Sequence, residues 1–157
     1  MSSRNDFDFI IGRWNVRHRK LRQRLAGCDE WIEFDGTAEA FKFLDGWGNI
    51  KCYRWELDDE PFEGAAIRIF NPRTRLWTIW WADTRTFGFD DVPVVGAFDG
   101  PIGTFYSEDT WEGRAVRVRY IYDATTPGVV VWQQAFSVDG GATWETNWIM
   151  TATREAA

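Results

Sequence analysis

Phe7-Asp8-Phe9-Ile10-Ile11-Gly12-Arg13-Trp14 leads into the first long alternating run of the chain, and Trp148-Ile149-Met150-Thr151-Ala152-Thr153-Arg154 is the last. An apolar lead-in, a glycine and a tryptophan opening the first strand, and an arginine ending the final one predict a sheet closed on itself. Its first and last strands should be neighbours. By parity Trp148, Met150, Ala152 and Arg154 share one face, so an inward Arg154 carries Trp148 and Met150 inward with it.

Working outward, Trp14 to Leu25 reads as a strand with Trp14, Val16 and His18 on one face and Asn15, Arg17 and Arg19 on the other. Further strands are expected at Trp31 to Leu44, Ile50 to Leu57, Ala65 to Phe70, Leu76 to Ala82, Val92 to Phe98, Thr104 to Trp111, Arg114 to Tyr122, Val129 to Ser137 and Trp144 to Arg154. Asp35-Gly36 reads as a bulge or bend, Asn71-Pro72, Glu112-Gly113 and Asp139-Gly140-Gly141 as turns, and 83–91 as a loop over one mouth. No window of helical length carries apolar residues at three-four spacing, which leaves a turn at Asp6–Ile11. The expected fold is all-β, a single antiparallel up-and-down barrel of about 8–10 strands over the whole chain, with 1–11 closing its base.

The formal charge of −6 on 157 residues argues against nucleic acid and anionic membranes as partners. Arg13, Arg17, His18, Arg19, Lys20, Arg22 and Arg24 oppose that average, and read as the solvated face of a long strand guarded against edge pairing, with an anion site as the other reading. Cys28 and Cys52 form no disulfide framework, no apolar signal core opens the chain, and no run is long enough to span a membrane, so a cytoplasmic protein is expected. The 11 Trp and 12 Phe exceed what a core alone requires and point to an aromatic interior or interface.

Gly12-Arg13-Trp14 resembles the Gly-x-Trp signature of the calycin superfamily, which implies a lipocalin-like or fatty-acid-binding-protein-like barrel with Arg154 packed across the tryptophan. Phe7 to Trp14, Asn71 to Trp81 and Asp139 to Trp148 together are similar to bacterial proteins of unknown function of the DUF1579 type. That resemblance implies a calycin-like barrel and no activity. Ser137 to Trp144 also resembles the Asp-box hairpin of sialidases, and one copy implies a hairpin rather than a glycosidase.

Candidate site residues follow from strand faces. His18 shares its face with Trp14 and Val16, as a ligand's hydrogen-bond partner or a proton acceptor, against a partly exposed histidine in a basic strand. As the only histidine it makes a metal site hard to build, and no cofactor or metal is expected. Tyr106, Tyr120 and Gln134 are polar groups on faces otherwise suited to the interior, and Arg54 and Arg68 stand in strands of mixed character. Glu33, Glu56 and Glu108 are possible partners of those arginines. Trp81, Trp132 and Trp148 join them as ligand-binding candidates, in an interior that side chains alone need not fill.

These readings converge on the binding of a small hydrophobic or aromatic molecule inside the barrel. The alternative is an isomerase or cyclase using the same cavity, with His18, Tyr106, Tyr120 or an arginine polarising a carbonyl. Trp80, with Leu76 and Thr78, makes the other face of its strand apolar and suggests a homodimer.

Overall fold

In a computed structural model, which describes residues 2–90 and 92–156, the alternating runs become one antiparallel sheet. Its strands are β1 (Gly12–Leu21), β2 (Trp31–Phe43), β3 (Gly48–Leu57), β4 (Glu60–Asn71), β5 (Leu76–Asp83), β6 (Gly88–Phe89), β7 (Val94–Asp99), β8 (Ile102–Trp111), β9 (Arg114–Asp123), β10 (Val129–Ser137) and β11 (Glu145–Arg154). Consecutive strands pair, except that β7 passes the two-residue β6 to pair with β5. Pairing of β1 with β11 and of β4 with β5 closes the sheet into a ten-stranded calycin-like barrel. No helix among the described residues is long and apolar enough to cross a membrane.

Trp14 and Arg154 are register partners, and the Arg154 guanidinium lies 4.4 Å over the Trp14 ring. The same guanidinium donates to the carbonyls of Ile11 at 2.7 Å and Phe9 at 2.6 Å. Trp14 donates its indole N–H to the Ile10 carbonyl at 2.8 Å. These bonds hold the lead-in, with its short 3-10 turn Asp8–Ile10, across the end of the barrel. Phe7 and Ile10 plug it, each 1 % exposed, and burying each contributes about 1.5–3 kcal/mol. Phe7 meets the rings of Trp77, Phe98 and Tyr122 edge-on at 4.9, 4.8 and 5.2 Å.

The first strand ends at Leu21 instead of Leu25. Leu25 has φ of 56°, Gly27 has φ of 65°, and such residues cannot continue an extended run. Residues 22–30 instead fold back at the mouth, where Arg22 N–H meets the Glu30 carbonyl at 3.0 Å and Leu25 N–H meets Glu145 Oε1 at 2.8 Å. Gly36 is not a bulge against β1, whose register runs unbroken through it, and it is the position at which the pairing of β2 with β3 ends. A Cβ there would stand 2.5 Å from the Arg54 carbonyl oxygen, so glycine permits a close strand approach. The bulge falls in β10–β11, where register shifts between Gln134 and Ala135 and leaves Asn147 as the extra residue. The loop expected over 83–91 contains β6, and its last residue, Asp91, lies outside the described residues.

Candidate functional site

Strand alternation sorts the basic run into two populations. Arg13, Arg17 and Arg19 point outward and pair with Glu39, Asp35 and Glu33 at 3.5, 3.0 and 3.5 Å, exposed pairs that contribute little. Lys20 has the parity of Trp14, Val16 and His18 and points inward.

At the closed end the lumen is filled. Arg68 is wholly buried and donates to Asn49 Oδ1 at 2.8 Å and to the Tyr122 hydroxyl at 3.2 Å. Lys51 is 2 % exposed, with its ammonium 5.1 Å from the Trp14 ring and 5.3 Å from that of Tyr53. Burial, reinforced by Arg68 and Arg154, holds the Lys51 amine well below its ordinary pKa. Beside it is a void of about 10 Å³, about the size of one water.

Toward the open end the lumen is hollow. A cavity of about 800 Å³ lies there, with Tyr53, Tyr122, Trp132 and Met150 shared between its wall and that of the small void. Its sides carry Trp81, Tyr120, Trp132 and Trp148, with Trp111 and Phe136 nearer the mouth. The Trp132 ring stands at 84° to Trp148 at 5.6 Å and at 75° to Tyr120 at 5.0 Å. Burial raises the Tyr120 hydroxyl pKa, with Asp90 adding to it, so this hydroxyl stays protonated. Room for Trp81 comes from Gly64, where a Cβ would meet Trp81 Cζ2 at 2.5 Å.

The polar groups of the cavity are few and mostly engaged. Gln134 donates its amide to Asn147 Oδ1 at 2.8 Å, both residues being buried. Asp83 accepts from the Trp81 indole at 2.8 Å and from Arg85 Nη2 at 2.7 Å. Burial alone would raise the pKa of Asp83, but the hydrogen bonds from Arg85 and Trp81 outweigh it and keep the carboxylate ionised. The Lys20 ammonium lies 4.7 Å from the Trp148 ring centre. Burial lowers its pKa to about 7, Arg24 and Arg85 adding to the effect and Asp83 opposing it.

Of the residues singled out in the sequence, Trp81, Tyr120, Trp132, Gln134 and Trp148 come together on the cavity wall. His18 is inside the barrel and wholly buried, but it sits behind Trp148, stacked on Phe34 at 4.5 Å, and takes no part in the wall. Arg54 and Tyr106 are on the outer surface. Arg54 alternates with the inward Tyr53 and Trp55 and pairs with Glu63 at 3.1 Å. Tyr106 alternates with the buried Phe105 and lies under the Arg117 guanidinium at 4.6 Å. Of the carboxylates considered for Arg54 and Arg68, Glu33 is engaged by Arg17 and Arg19, and Glu108 by Arg117.

Lys20 and Arg24, which the sequence marks only as part of a basic run, line the cavity together with Asp83, Trp111 and Phe136, none of them among the ligand-binding candidates. Parity with His18 marks Lys20, and parity with Gln134 marks Phe136. Nothing local marks Arg24, which the loop fold delivers.

No family model and no curated protein sequence matches the chain. Among solved structures, the S-type phycobiliprotein lyase of Guillardia theta superposes with a TM-score of 0.67, covering 100 % of this chain and 94 % of that one at 11 % identity. At that identity the likeness is one of fold.

Proposed function

We propose that the barrel binds one small hydrophobic or aromatic molecule in its open-end cavity. The observation that carries this reading is the hollow of about 800 Å³ faced by Trp81, Tyr120, Trp132 and Trp148. Ligand sites are commonly clefts of about 300–1,000 Å³ with apolar walls and few polar groups. The like-folded protein is by its name a phycobiliprotein lyase, which adds conjugated linear tetrapyrroles to the classes to be tried. The resemblance of Phe7 to Trp14, Asn71 to Trp81 and Asp139 to Trp148 to bacterial proteins of the DUF1579 type, and the free Cys28 and Cys52, are what supports a bacterial, cytoplasmic origin within the same reading.

The enzyme alternative loses its general base. His18 accepts a hydrogen bond from an indole rather than contacting a carboxylate, is absent from the cavity wall, and has a pKa of about 3. Tryptophan fluorescence and thermal melting against fatty acids, aromatic metabolites and linear tetrapyrroles test the binding reading. A ligand at a hundred times its Kd stabilises the fold by about 2.7 kcal/mol, a readily measured rise in Tm. Silence of both signals across the whole panel overturns it.

A further inference from the structure

The outer wall of the barrel is not uniform. On β1 and β2 it carries ion pairs, Arg13 with Glu39 and Arg17 with Asp35. On β4 the outward positions are Ala65, Ile67 and Ile69, and on β5 Thr78, Trp80 and Ala82, with no charge among them. Register sets Ile67 beside Trp80 and Ile69 beside Thr78. The apolar surface continues on either side, to Ile50 of β3 beside Ile67, to Val95 of β7 beside Thr78, and to Phe89 of β6 beside Ala82. Val95 is 38 % exposed and Phe89 58 %, so this surface faces water.

Neighbouring strands lie about 4.8 Å apart and residues on one face of a strand about 6.8 Å apart, so four strands by three positions make an uncharged patch of about 400 Å². Monomers rarely expose more than a few hundred Å² of contiguous apolar surface. A standard interface takes about 800 Å² from each partner, apolar core and polar rim together. The patch has the size of such a core.

The two ends of β4 differ in sign. Asp58, Asp59 and Glu60 are exposed where the chain enters the strand. Arg73 is exposed in the turn that leaves it, beside Arg75, whose guanidinium is tied to the Ser2 carbonyl. A face that is neutral in the middle, acidic at one end and basic at the other is complementary to itself. A twofold axis across the strands turns the partner's β4 end for end and sets acid against base, whereas parallel alignment sets like against like. A lipid surface is a poorer fit, because faces that lie on membranes are rich in cations and this chain has a net charge of −6.

We infer that the β4–β5 face is a twofold contact with a second copy of this chain, in which Ile67 and Trp80 pack on their counterparts and each acidic turn lies against the partner's Arg73. Stacked sheets meet in this way at about 10 Å. The inference is independent of ligand binding, since Trp80 faces out from the strand whose Trp81 faces the cavity.

Sedimentation velocity at low ionic strength, over a range of protein concentrations, tests it. Wild type should sediment as a dimer at tens of micromolar and as nothing larger, because a twofold contact closes at two. Trp80→Glu and Val95→Glu each put an unpaired charge into the contact and should raise the dimer dissociation constant on the order of a hundredfold. Circular dichroism and a cooperative melt show that the barrel is intact, and the exposed Val95 keeps the test standing if Trp80→Glu does not fold. Arg73→Glu should weaken association several-fold, and adding Glu60→Arg to it should restore the dimer. A wild type that stays monomeric overturns the inference, whether or not it floats with phosphatidylcholine vesicles. So does an oligomer larger than two, a dimer that survives both glutamate substitutions, or an Arg73→Glu protein that associates like wild type.

Discussion

The indole N–H of Trp148 donates to Nδ1 of His18 across 3.2 Å, inside the barrel and out of water. The bond selects the neutral tautomer with its proton on Nε2, and the imidazole lies nearly flat on Phe34, 4.5 Å away at 11°. A buried histidine thereby fixes the plane of a tryptophan whose other side is cavity wall. Burial is the main reason its pKa falls from 6.5 to about 3; Lys20 and Lys51 add to the shift and Asp35 opposes it.

That shift has a sign in stability. The unfolded chain takes up a proton at His18 near pH 6.5, while the folded chain resists it down to about pH 3. The contribution is fully present above the unfolded pKa and is lost as pH falls through that window, at up to about 1.4 kcal/mol per pH unit. Urea unfolding of wild type and His18→Leu at several pH values should show a shallower acid loss in the variant. Parallel curves would mean that His18 does not stay neutral in the fold.

Gly64 and Trp81 form a second dependent pair. The Gly64 backbone lies outside the positive-φ region, so Gly64→Val meets a steric obstacle rather than a conformational one. The new side chain should push the Trp81 ring out of place, with an overpacking cost of about 1–3 kcal/mol. Affinity for N-phenylnaphthylamine should fall several-fold, and a Gly64→Val protein that binds this dye like wild type would remove Trp81 from the ligand's wall.

At the closed end, Gly12 has φ of 119°, and a Cβ there would stand 2.7 Å from Arg154 Nη1. Gly12→Ala should cost about 1–3 kcal/mol from backbone strain and displacement of the guanidinium. Arg154→Met should cost about 1–2 kcal/mol through the lost bonds to Phe9 and Ile11 and the lost contact with Trp14. Because both act on one contact, the double variant should cost less than the sum. Additive losses in urea midpoints would show that Gly12 serves only its own backbone.

Much of the barrel could be read from alternation, because one-residue parity decides which side chains point inward once one face is buried. Trp14, Trp148 and Arg154 could be assigned to one interior this way, and Trp132 and Gln134 follow the same rule. Parity fails where a strand is apolar or polar on both faces. Tyr106 alternates with Phe105, and only the closed sheet shows which of the two it encloses. Arg54 is a different case, since β3 alternates cleanly and its neighbours Tyr53 and Trp55 mark it as outward.

By itself, the sequence determined the strand content, the closure of first strand on last and the aromatic character of the interior. Those follow from period, turn chemistry and composition, all of which are local. Only the tertiary structure decided that the interior is packed at one end and hollow at the other. That depends on which rings from β5, β9, β10 and β11 meet, on the lead-in that fills the base, and on the glycines that let Trp81 and Arg154 come close. It alone decided that a basic run splits, leaving Arg13, Arg17 and Arg19 in solvent while Lys20 enters the cavity from β1 and Arg24 reaches its mouth from a folded-back loop. Charge in a sequence has no inside or outside until the chain closes around it.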